Sequence, residues 1–111
     1  MLVGRSSPFG GKTRTRVLLA LGLLDESYAR ELARILDTSL NGVQSALRSL
    51  ERDGLVSGRS LGRTRVFRIE ARHFAYDELK RYLRRLIEPE FDLKERVAAL
   101  RRRPRRAGKP L

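Results

Sequence analysis

Cysteine and tryptophan are missing from this 111-residue chain, and histidine occurs once, as His73. Without cysteine no disulfide can form and no thiolate can hold a metal, which fits a reducing compartment. A single imidazole leaves little for acid–base chemistry or metal ligation, so neither a cofactor nor a metal is expected. Aromatic residues make up only 6% of the chain. That is too few for a platform on which unpaired bases could stack, and it argues against an RNA-binding or ribosome-associated protein. No apolar run approaches the roughly 20 residues that span a membrane. Met1 to Gly10 also lacks the apolar stretch of a signal peptide. A soluble, cytoplasmic protein with no membrane partner is the expectation. Catalytic groupings are absent as well: there are no paired carboxylates and no nucleophile at a useful spacing from His73. Gly10-Gly11-Lys12-Thr13 has the ending of a phosphate-binding loop, but Arg5 stands where the first glycine belongs, and no strand precedes it. No enzyme is expected.

Acids are the last scarcity, with 13 Asp and Glu against 25 Lys and Arg, for a formal net charge of +12. The excess is clustered. Residues 1–24 carry four bases and no acid, residues 39–69 six arginines against two acids, and residues 101–111 six bases and no acid. Residues 70–100 balance seven bases with seven acids, and residues 25–38 are net acidic. Clustered bases that neutralise phosphates release condensed counterions, which drives nucleic-acid binding. Hydrophobic content of 41% supplies a small core. The length allows one domain, taken here as residues 1–88, followed by a C-terminal helix and basic tail over residues 89–111.

The apolar spacing predicts five helices and two strands. Lys12 to Leu24 carries Val17, Leu18, Leu21 and Leu24 as one stripe. Ala29 to Leu36 carries Leu32, Ile35 and Leu36. After the break Asp37-Thr38-Ser39, Leu40 to Asp53 carries Val43, Leu47 and Leu50 on one face. Ser39 suits the N-cap of that third helix, and Ser27 that of the second with Glu31 one turn in. Gly54 suits the left-handed position after a helix end. Leu55-Val56 and Arg65 to Ile69 read as strands around a turn from Gly58 to Thr64, with Phe67 and Ile69 closing the core. Asp77 to Ile87 and Phe91 to Arg102 follow as the fourth and fifth helices. Pro89 separates them, and Pro104 ends order before the tail.

Helix, tight turn, helix and basic hairpin, in that order, suit a module that lays its second helix of the pair in a major groove. Thr13 to Leu21, Ala29 to Leu36, Val43 to Val56 and Gly62 to Ile69 together resemble the winged helix-turn-helix transcription regulators of the ArsR and MarR type. Leu50 to Val56, followed by a Gly-Arg hairpin, is the strongest element of the resemblance. It implies a mainly α fold with a small antiparallel β-wing, here with a C-terminal helical extension. It also implies a homodimer joined through terminal helices. Metal-sensing members use Cys or His clusters, which this chain lacks.

Opposite the core face of the third helix lie Asn41, Gln44, Ser45 and Arg48, assigned to base edges. Asn and Gln suit adenine there, and Arg suits guanine. Gly42 either lets backbone or a base approach closely or marks a frayed first turn. Arg52 lies farther along and is assigned to phosphate. Ser39, the wing residues Arg59, Arg63 and Arg65, and the helix-start residues Lys12, Arg14 and Arg16 are assigned to the DNA backbone or a minor groove. Arg101, Arg102, Arg103, Arg105 and Arg106 of the tail are likewise assigned to the DNA backbone or a minor groove, where they are expected to add nonspecific affinity. Leu79, Tyr82, Leu83, Leu86, Leu93 and Val97 exceed what a three-helix core needs and are assigned to the dimer interface. The expected function is a sequence-specific double-stranded DNA-binding regulator acting as a dimeric repressor. A nonspecific architectural nucleic-acid binder is the alternative.

Overall fold

The computed structural model describes residues 9–102, with the side chain of Arg102 outside that description. Five helices and a three-stranded sheet follow in the order α1 (Lys12–Leu24), β1 (Ser27–Tyr28), α2 (Ala29–Leu36), α3 (Leu40–Arg52), β2 (Val56–Leu61), β3 (Thr64–Ile69), α4 (Tyr76–Ile87) and α5 (Phe91–Arg102). The expected fold class, mainly α with a small antiparallel wing and a C-terminal helical extension, is the one observed.

α1 is the hub. Val17 through Leu21 are buried without a break, and α2, α3, α4, α5 and β3 all pack on this helix. A helical stretch that is apolar on every side, as Val17 to Leu21 is, belongs inside a fold rather than on its surface. α2 ends in the left-handed conformation at Asp37 (φ 51°), which a short polar side chain tolerates. The Thr38 amide then donates back to the Ala33 carbonyl at 3.0 Å. This tight turn aims the chain across α2 into α3, whose first turn is capped as expected: Ser39 Oγ accepts from the Gly42 amide at 3.0 Å. Val43, Ala46, Leu47 and Leu50 press α3 onto the core.

The sheet departs from the sequence expectation in two ways. Ser27 and Tyr28 form a short strand that pairs antiparallel with Phe67 and Val66, giving the order β1-β3-β2. Two residues carry too little periodicity to be read as a strand, and β3 recruits them in three dimensions. Ser27 therefore does not cap α2. The N-cap is Tyr28, without a side-chain bond, and the Ser27 hydroxyl instead donates to the Glu31 carboxylate. The hairpin is also longer and its turn tighter than expected. Gly58 to Leu61 belong to β2, and only Gly62 and Arg63 form the turn between Leu61 and Thr64. Gly58, read as a turn residue, is paired with Phe67 inside the sheet: a Cβ there would collide with the Arg65 guanidinium and sit 2.9 Å from the Phe67 ring. Its glycine serves close approach rather than a bend.

α4 and α5 fold back onto the helices before them. Leu79, Leu83, Ile87, Leu93 and Val97 join the same buried cluster as Val17 and Leu47. This corrects the interface assignment for four residues. Leu79, Leu83, Leu93 and Val97 are between 1% and 9% exposed within one chain, because α4 packs on α1 and α5 packs on α1 and α2. Of the six residues assigned there, only Tyr82 (45% exposed) and the partly buried Leu86 keep surface to offer.

Candidate nucleic-acid interface

The outward face of α3 is polar along its length. Asn41, Ser45, Arg48 and Arg52 are exposed and Gln44 is half-buried. Beside it runs a groove of about 490 Å³ between α3, the start of α2 and the wing. Gln44 and Arg48 enter it from α3, Arg30 from α2, and Arg63 and Arg65 from the wing, over apolar walls that include Leu47 and Phe67. The helix places Gln44, Leu47, Arg48 and Glu51 along one edge because residues three and four apart share a face. The wing supplies the facing edge.

The arginines of this region divide into tethered and untethered groups. Arg65 forks onto Glu51, with Nη2 donating to Oε2 at 2.9 Å and Nη1 to Oε1 at 3.4 Å, and lies 5.0 Å over the Phe67 ring. The hydrogen bond to the Glu51 carboxylate raises the Arg65 pKa above its ordinary value. Arg59 pairs with Glu26 at 3.1 Å. Arg16 donates weakly to Thr38 Oγ1 at 3.4 Å, and Arg52 to Ser49 Oγ at 3.5 Å. Arg30, Arg48 and Arg63 make no hydrogen bond or ion pair with another described residue.

Two residues assigned to the DNA backbone have other employment. Arg14 donates to the Phe9 carbonyl, to Ser49 Oγ and, at 2.8 Å, to Asp53 Oδ2. It clasps the end of α3 to the start of α1, and with its side chain 19% exposed it is not a surface cation. Arg101 turns back to donate to the Leu23 carbonyl near the end of α1. Lys12 is exposed at the start of α1, and Ser39 uses its hydroxyl as the α3 cap. Arg103, Arg105 and Arg106 lie outside the described residues, as does the side chain of Arg102. Arg30, Tyr28 and Thr64 line the groove without having been singled out from the sequence. Arg30 sits in a net-acidic stretch, and only the crossing of α2 against α3 brings it beside Arg48.

Among the described residues no three His, Asp or Glu side chains gather as a metal site. The expectation of no metal remains a reading of composition. Among them, too, no helix is long and apolar enough to cross a membrane.

A two-helix turn motif carrying a polar face, buttressed by a third helix and followed by a basic β-hairpin, defines a winged helix-turn-helix protein. No protein-family model and no curated protein sequence matches this chain. Solved structures do. Reduced HlyU from Vibrio cholerae superposes with a TM-score of 0.57 at 26% identity, over 69% of this chain and 75% of HlyU. A single-site mutant of ZitR from Lactococcus lactis gives 0.61 at 18% identity, over 86% and 66% of the two chains. The adhesin competence repressor AdcR from Streptococcus pyogenes gives 0.57 at 17% identity, over 77% and 63%. This chain thus spans somewhat less than two thirds of AdcR and about two thirds of ZitR. AdcR is by its name a repressor, and the fold of this chain is that of winged-helix regulators of the ArsR/MarR type.

Proposed function

We propose that this protein is a sequence-specific double-stranded DNA-binding transcriptional regulator that acts in the cytoplasm as a dimeric repressor by occluding its site. The observation that carries the reading is the groove edge of α3. Asn41, Ser45 and Arg48 are exposed, and Arg48 shares the groove with Arg30 and Arg63, none of the three making a hydrogen bond or ion pair among the described residues. α3 enters the major groove with Asn41, Gln44, Ser45 and Arg48 at base edges. Arg52, Arg63 and the two residues now added, Arg30 and Thr64, meet the backbone or the adjacent minor groove. Arg59 and Arg65 take part by exchanging their carboxylate partners for phosphates.

Dimerisation uses what α4 leaves uncovered, centred on Tyr82 and Leu86. Two α3 helices then lie about one DNA turn apart, roughly 34 Å, and favour an inverted repeat. Selection from a random double-stranded pool at near-physiological salt tests the reading. The wild-type chain should enrich an inverted repeat, and Arg48→Ala should blur one position in each half. Binding without any enrichment would replace this reading with a nonspecific architectural role. A mass that stays monomeric at high micromolar concentration would remove the dimer.

A further inference from the structure

Among the described residues, the large apolar side chains that are more than half exposed are Phe74, Phe91 and Leu61. Phe74 lies against the His73 ring, and Phe91 lies under the Lys94 ammonium at 4.9 Å. Leu61, 58% exposed, has no such cover and stands at the tip of the wing. It pairs with Thr64 across the turn Gly62-Arg63. Gly62 has φ +64°, and Arg63 stays out of the positive-φ region. That combination marks the tight turn with glycine first, whose twist matches that of the flanking strands.

The arm that carries this tip is stiff. Six consecutive cross-strand pairs run from Val56 with Ile69 to Leu61 with Thr64. In the free protein Arg65 also ties it to Glu51 of α3, and Arg59 ties it to Glu26. Val56 is anchored in the core, 2% exposed. Five residues further along, at about 3.3 Å each, the tip stands roughly 16 Å away. With α3 in a major groove, a hairpin that projects beside it faces the adjoining backbone and minor groove. The tip offers two side chains of opposite character: Arg63, with no hydrogen bond or ion pair to another described residue, and Leu61. Phosphate contact explains the arginine but not the leucine, since any small polar residue would serve the hairpin and avoid apolar exposure to water.

We infer that Leu61 is an apolar wedge. Resting on the DNA-binding reading above, the wing enters the minor groove, where the negative potential holds Arg63. Leu61 slides between base pairs at a flexible pyrimidine–purine step, unstacks it and bends the duplex toward the major groove. The occupant is duplex DNA, and the device selects deformable TA or CA/TG steps at a position that receives no hydrogen bond from the protein.

The test uses full-length protein and an alternating dT-dA duplex of about 30 base pairs. It carries 2-aminopurine at several adenines and a donor–acceptor dye pair at its ends. The wild type should raise 2-aminopurine fluorescence and shorten the end-to-end distance. Leu61→Ala, at an exposed site, should bind within about tenfold of wild type yet abolish both signals, and Leu61→Phe should keep them. Arg63→Ala should weaken binding and flatten the salt dependence by about one ion. Tight wild-type binding with neither signal, or equal signals from wild type and Leu61→Ala, would overturn the wedge and leave the regulator reading standing. No binding to this duplex or to mixed-sequence duplex at low salt would overturn both.

Discussion

The two ends of this fold handle their charges in opposite ways. In α4 and α5 the ion pairs are local: Arg81 with Glu78, Arg85 with Glu88 and Arg96 with Asp92, each within one turn. In the helix-turn-helix and wing they span the chain: Arg14 with Asp53, Arg59 with Glu26 and Arg65 with Glu51. Local pairs between exposed side chains neutralise a surface and contribute little else. Long-range pairs cross-brace separate elements and leave Arg30, Arg48 and Arg63, unpaired among the described residues, around one groove. The C-terminal helices thus serve as a buttress behind α1 whose ion pairs stay local, while the basic face is held in shape by acids that a phosphate backbone would compete with.

The largest expected effect falls on the buttress. Leu83 is 1% exposed against α1. Leu83→Ala should lower folding stability by about 2–5 kcal/mol in a denaturant titration. If it instead shifted the mass from dimer to monomer at unchanged stability, the contrast between buttress and face would collapse. Next comes the Arg14 clasp. Arg14→Ala removes a charged donor shared by Ser49, Asp53 and the Phe9 carbonyl. A loss of about 2 kcal/mol is expected. Arg14→Lys should recover little, because one ammonium cannot reproduce the fork. A stability change near zero, with DNA binding lost, would return Arg14 to the DNA-contacting group.

Arg48→Ala separates binding from folding. Affinity for the preferred duplex should fall by about 1–3 kcal/mol, while stability should stay within about 0.5 kcal/mol of wild type. An equal loss on every sequence would demote Arg48 to a phosphate contact. The smallest effect belongs to Glu51→Gln. Breaking an exposed pair should cost about 0.2–1 kcal/mol of stability. Removing a carboxylate from the groove should at the same time tighten DNA binding, most of all at low salt. Weaker binding would mean that Glu51 earns its place by aiming Arg65.

Periodicity was enough to read the helices, because each buries one face and repeats its apolar residues to match. α1, α2 and α5 have the expected bounds, and α3 and α4 differ by one residue at an end. The polar stripe of α3 was legible for the same reason: once Val43, Leu47 and Leu50 face inward, Asn41, Ser45 and Arg48 must face out. The wing was harder. Gly58 looks like a turn residue, yet its missing side chain makes room for Arg65 and Phe67, and only strand register reveals that. The apolar surplus of α4 and α5 misled for a related reason: a hydrophobic stripe announces that it will be buried but not against which surface.

Composition and local pattern by themselves determined a basic, cysteine-free, helix-rich chain with a helix-turn-helix and a hairpin, since propensity, capping and amphipathic spacing act between near neighbours. Only the tertiary structure decided which arginines are tethered and which stand free, that β1 completes the sheet, and that α4 and α5 close over α1. Those outcomes depend on pairs such as Arg14 with Asp53 and Ser27 with Phe67, remote along the chain. Their energies exist only once the core has brought them into contact.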